Sequence, residues 1–127
     1  MNATIEVSDD VDKLLNKYRP AAAFTLGAMG SPSTNFYGAA YSRAGWGDTA
    51  AEVQSLWVSG DKEAAVKAVP DEFLLSIYMI GTEKMVSDRI RAVRDTGINT
   101  LRLAPVGRTA AQMVENLEQL VPLVTAV

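Results

Sequence analysis

"LLSIYMIGTEKMVSDRIRAVRDTGINTLRLAP", Leu74 to Pro105, is the stretch that decides the fold class. It opens with an apolar, β-leaning run ending at Gly81, although Leu74 and Leu75 could instead close a preceding helix. Thr82 then offers a hydroxyl to cap a helix from Glu83 to about Asp95, with Met85, Val86, Ile90 and Val93 facing inward. Gly97 is its stop. "INTLRLAP" reads as a further strand. After "VGRT" a last helix carries Met113, Val114, Leu117, Leu120, Val121 and Val124 as an apolar stripe. Strand, helix, strand, helix is the alternation of a parallel sheet with crossover connections.

Upstream the rhythm changes. "ATIEV", Ala3 to Val7, alternates as a short strand, and Ser8-Asp9-Asp10 marks a helix start. Val11, Leu14, Leu15 and Tyr18 make one face of that helix apolar, and Pro20 should end it or begin the next. "FTLGAMGSPSTNFYGAA", Phe24 to Ala40, breaks at Gly27 and Gly30 and restarts as a helix near Thr34. Gly45 and Gly47 should break that helix near Arg43, with Asp48 or Thr49 capping the next one, which carries Val53, Leu56 and Trp57. Gly60-Asp61 resets the chain before a short helix that stops ahead of Pro70.

Composition sets the limits. With 127 residues, 48% of them hydrophobic, the chain can bury one conventional core. A net charge of −3 without a basic stripe argues against nucleic acid as a partner. There is no Cys and no His, which excludes a Ser-His-Asp or Cys-His triad, thiolate chemistry and His-containing zinc sites; no metal site is expected. No apolar run approaches the ~20 residues of a membrane span, and the Met1 end does not read as a leader, so a soluble, cytoplasmic protein is expected.

Three candidate strands against about six helices cannot close a barrel of eight strands and about 250 residues. The sequence is therefore a small atypical α/β domain or the end of something larger. "LGAMGSPSTNFYGAAYSRAGW", "AAEVQSLWVSGDKEAAVKAVPDEFL" and "IGTEKMVSDRIRAVRDTGINTLRLAP", in that order and spacing, resemble the C-terminal third of the luciferase-like monooxygenase family, in its deazaflavin (coenzyme F-420) or FMN branch.

The resemblance implies the C-terminal portion of a (β/α)8 TIM barrel, helix-rich, with residues 1–127 as one partial domain and residues 24–70 as a helical insertion within it. It implies hydride transfer between F-420 or FMN and a small organic substrate. The family's phosphate site and ring-backing strand would lie upstream, so the chain alone should be inactive and bind neither cofactor tightly. The competing expectation is a small helix-rich binding module that self-associates without catalysis. Either way, exposed strand edges predict a homodimer or larger homo-oligomer.

The binding residues that follow are Gly27, Gly30, Asn35 and Tyr37 as a pocket wall over a flat ligand, Arg43 toward an anionic substrate, and Arg102. If Leu101 and Leu103 pack on helices, Arg102 faces the barrel interior, where its guanidinium suits a carboxylate or phosphate. The ordinary alternatives are loop punctuation for the glycines, a surface stack for Arg43, and an ion pair or a solvated side chain for Arg102. Asp71-Glu72 reads as a helix start, because adjacent helical residues diverge. No residue presents itself as nucleophile or base.

Overall fold

The computed structural model describes residues 2–29 and 35–126. Two short strands, β1 (Asn2–Ala3) and β2 (Ile5–Val7), are separated by Thr4 alone and continue one another. Helices α1 (Val11–Ala28), α2 (Phe36–Tyr41), α3 (Gly47–Val58), α4 (Lys62–Lys67) and α5 (Asp71–Ile77) follow, with a wider π-type turn at Ser42–Trp46. Then come β3 (Met79–Gly81), α6 (Glu83–Asp95), β4 (Arg102–Leu103) and α7 (Ala110–Thr125). The chain is a helix-rich α/β protein. It divides into two compact units, one formed by Met1–Leu14 with Leu75–Val127, the other by Leu15–Leu74.

In the first unit every strand pairing is parallel. β1 pairs with β4 in the register Asn2↔Arg102, and β2 pairs with β3 in the register Ile5↔Met79. Met79 N–H donates to Thr4 C=O at 3.0 Å and Ser8 N–H to Gly81 C=O at 2.9 Å, which extends the second ladder at both ends. The N-terminal strand therefore lies between β3 and β4. Successive barrel strands would instead pair in chain order, with β3 in the middle. Ala3, Ile5 and Met79 meet Val86, Ile90 and Val93 of α6 and Leu120 of α7 in one core, and Leu101 and Leu103 pack against it.

The boundaries of α6 follow local chemistry. Thr82 Oγ1 accepts from Met85 N–H at 3.3 Å, Glu83 stands in the first turn, and Gly97 adopts φ 92° beyond the last. Gly81 takes φ 135°, a backbone that side chains avoid, and a Cβ there would also meet Met85 Sδ at 2.8 Å. At α1, Asp10 rather than Ser8 caps the helix, its carboxylate accepting from Lys13 N–H at 3.1 Å.

In the second unit Pro20 neither ends nor begins a helix, since α1 runs through it to Ala28. An internal proline costs about 3 kcal/mol, but the following two turns bury Ala22, Ala23 and Leu26 completely. Gly27 likewise lies inside α1 rather than in a turn. Of the two glycines expected to break the next segment, Gly45 does so at φ 93°, whereas Gly47 is the first residue of α3, which has no side-chain cap from Asp48 or Thr49. Asp61 caps α4 by accepting from Ala64 N–H at 3.0 Å. Leu74 and Leu75 belong to α5, so the expected strand shortens to its last three residues. Phe73 is fully buried, with Tyr41 and Trp46 set edge-on to its ring at 5.0 and 5.3 Å.

Candidate functional site

Asn35 ties two helices together. Its Oδ1 accepts from Gly38 N–H at 2.8 Å, capping α2, while its Nδ2 donates to Leu26 C=O at 3.1 Å near the end of α1. Gly27 sits one residue further along α1, and a Cβ there would lie 2.5 Å from Trp57 Cβ. The glycine lets α1 and α3 approach face to face. Tyr37 is exposed and stacks edge-on with Phe36 at 5.7 Å, leaving Phe36 76% exposed. Gly30 and Thr34, near which the helix was expected to restart, lie outside the described residues. Arg43 is exposed in the π-type turn.

Arg102 belongs to the other unit. Leu101 and Leu103 pack on the core as the alternation requires, and Arg102 is exposed on β4. The structure thus brings Gly27 and Asn35 into one neighbourhood and holds Arg102 in a different unit.

Two features were not legible beforehand. Arg19 donates to the Val69 carbonyl and pairs with Asp71, clamping α1 to the start of α5 across a long stretch of chain. Asp71 does stand in the first turn of α5, but nothing local names its partner. Gln54 on α3 has a buried Nε2 without a hydrogen-bond partner, beside a small cleft lined by Gly38, Gly47, Ala50 and Ala51.

Electrostatically the described residues are quiet. The buried set is entirely apolar, and no group of three or more Asp, Glu, His or Cys side chains could hold a metal ion among the described residues. Burial, followed by the nearby Tyr37, raises the Tyr41 hydroxyl above its ordinary value. The Lys84 hydrogen bond to Asp88 holds that carboxyl below the usual range. Neither is a poised acid or base at neutral pH. No helix among the described residues is long and apolar enough to cross a membrane.

The described residues make a helix-rich α/β scaffold with parallel strand pairings and a Thr-capped crossover helix. Residues 1–100 match the family model of the luciferase-like monooxygenases, and the chain belongs to that family. It is 29% identical over 119 residues to a protein of Mycobacterium tuberculosis named as a coenzyme F-420-dependent oxidoreductase. That alignment covers 94% of this chain and 33% of the relative, so the chain spans about a third of the length of the curated relative it matches. No solved structure matches the chain significantly.

Proposed function

We propose that the chain is the C-terminal part of a luciferase-like oxidoreductase that transfers hydride between F-420, or FMN, and a small organic substrate. The observation that carries this reading is the match to a relative named for F-420, along almost the whole of this chain. The part missing from that alignment would supply the remaining strands of a (β/α)8 barrel.

The residues present do not fit the cofactor by themselves. A cleft of about 380 Å³ in the first unit is lined by Leu75, Tyr78, Met79 and Ile80 without Arg102. A ring system with a charged tail needs a cavity toward the upper end of the ordinary 300–1,000 Å³ range and converging polar groups. These residues alone define no catalytic step, and the isolated chain is expected to be inactive. Arg102, on the face opposite Leu101 and Leu103, is assigned to an anionic group of substrate or cofactor in the longer protein.

The test has two parts. Titrating F-420 or FMN with the isolated chain should give no saturable change in cofactor fluorescence at low micromolar protein. In a full-length protein carrying this segment, F-420 or FMN should be reduced by a substrate, and Arg102→Met should weaken substrate or cofactor affinity by about 1.5–3 kcal/mol without lowering the melting temperature. A full-length protein that binds neither cofactor sinks the reading. Unchanged kinetics with lowered stability in Arg102→Met makes the arginine structural.

A second reading, self-association, draws on α7. Leu120 is buried, but Val114 is 53% and Val121 49% exposed, so part of the stripe expected to shield the sheet faces outward. A homodimer that covers this face and a strand edge would leave a binding module without catalysis. Light scattering decides it, a monomer at tens of micromolar being the adverse result.

A further inference from the structure

β4 is the least securely held strand of the first unit. It joins β1 through two residues alone, Asn2↔Arg102 and Ala3↔Leu103, whereas β2 and β3 share three and are bonded again at Thr4–Met79 and Ser8–Gly81. Among the described residues β3 has no second strand beside it. Yet Met79, Ile80 and Gly81 are all buried, which makes it the most enclosed strand of the four. Met79 and Gly81 bond toward β2, so regular alternation turns the N–H and C=O of Ile80 the other way. Buried backbone groups are nearly always paired, and that edge is one a further strand would stabilise.

The surface beside β3 already suits such a neighbour. The cleft of about 380 Å³ there is lined by Leu75, Met79 and Ile80 and, from α6, by Met85 and Ala92. Met79 meets α6 in the core, and Leu101 and Leu103 pack on that same core, whereas Ile80 and Arg102 fall on the opposite face by alternation. A strand laid against β3 with its leucines toward α6 would fill the cleft. It would also set Arg102 beside Ile80.

We infer that in the longer protein β4 leaves β1 and pairs with the outer edge of β3. In the 127-residue chain β4 occupies the β1 edge because no earlier strand is there to take it. The inference rests on the reading of this chain as the C-terminal part of a barrel, in which successive strands are neighbours in chain order. The covalent connections permit the exchange: three strand spacings come to about 14 Å, and residues 96–101, between α6 and β4, extend to about 20 Å. Residues 104–109 leave α7 the same slack. The move takes Arg102 from beside Asn2 to beside Ile80, so the isolated chain holds its arginine at a different edge from the one it takes in the longer protein.

The chain contains no Cys, so engineered pairs report strand neighbours without background. Ala3→Cys with Leu103→Cys, which are ladder partners, reports the observed order. Tyr78→Cys or Ile80→Cys, each combined with Arg102→Cys, reports the exchanged order in two registers, since paired strands bring Cα atoms within the ~4.4–6.8 Å that a disulfide spans. Under mild oxidation of the isolated chain the first pair should close about tenfold faster than the others, read by mass spectrometry of the linked peptides. In a full-length protein carrying this segment, with any other cysteines replaced, the preference should reverse. If Ile80→Cys fails to fold when reduced, as judged by circular dichroism, the Tyr78 pair carries the test. Dominant closure of the Ala3 pair in the full-length protein, or closure of neither β3 pair there, overturns the inference. So does equally fast closure of a β3 pair in the isolated chain. None of these readouts involves a cofactor: a full-length protein that shows the reversal but binds neither F-420 nor FMN keeps the strand exchange and loses the oxidoreductase reading.

Discussion

The two units solve the problem of burial in opposite ways. Leu15–Leu74 is built from helices that follow one another in sequence and meet through small residues; Ala22, Ala23, Leu26, Val53, Ala65, Val69 and Phe73 are all completely buried. The unit of Met1–Leu14 and Leu75–Val127 relies on parallel pairings between the first residues and much later ones, and it leaves part of the apolar stripe of α7 exposed. Contacts between elements close in sequence need little loop closure to form. Parallel strands close one only when every neighbour is present.

The sharpest way to break this contrast is at Phe73. Its ring is enclosed by Tyr41 and Trp46, and Phe73→Ala should cost about 3–5 kcal/mol of stability in chemical denaturation. Faster hydrogen exchange should then centre on residues 15–74. An equal loss of protection at Ile5 and Ile80 would show that the two units unfold as one.

In the first unit a neighbouring pair on α7 sharpens the point. Leu120→Ala should cost about 2–5 kcal/mol, since Leu120 is 1% exposed within the core. Val121→Ala, one position along, should stay within about 0.5 kcal/mol in a monomer. A cost at Val121 that grows with protein concentration would mean that the outward face is covered by a second copy.

Close helix approach is the next lever. Gly27→Ala forces a methyl against Trp57 and should destabilise by about 1–3 kcal/mol, read as a lower denaturation midpoint with an unchanged slope. A neutral result would mean that α3 shifts freely away from α1.

What the sequence revealed depended on the range of the physics. α6 was legible to the residue because Thr82, Glu83 and Gly97 act on their own turns. The fate of Pro20 was not, since the burial of Ala22, Ala23 and Leu26 outweighs a local rule only once the other helices are in place. The facing of Leu101 and Leu103 followed from alternation, whereas the pairing of β4 with β1 rather than β3 did not. Of the site residues, Asn35 was expected in a pocket wall with the helix starting near Thr34, and its bond to Leu26 and the contact of Gly27 with Trp57 are tertiary facts.

The smallest effect expected belongs to the surface of α6. Asp88 bonds Lys84 at 2.6 Å and Arg91 at 3.0 Å, and its depressed titration means that the ionised carboxylate favours the folded state. That contribution is present above the ordinary carboxylate value and disappears as pH falls through the lower, folded one. Asp88→Asn should therefore narrow the stability difference between neutral and strongly acidic solution slightly, and salt should erase most of the change. A difference that salt leaves intact would count against the ion pairs.

The parallel pairing of the N-terminal strand also sets an order of events on the ribosome. Asn2 and Ile5 leave the exit tunnel well before their partners Arg102 and Met79, which come later than the whole of residues 15–74. The helical unit can close while synthesis continues, and the strand pairing with β3 must wait until translation has passed Gly81. During that interval the side of the strand that β3 later covers is open to chaperones or to another nascent chain. Slow codons placed after residue 74 would lengthen the exposure.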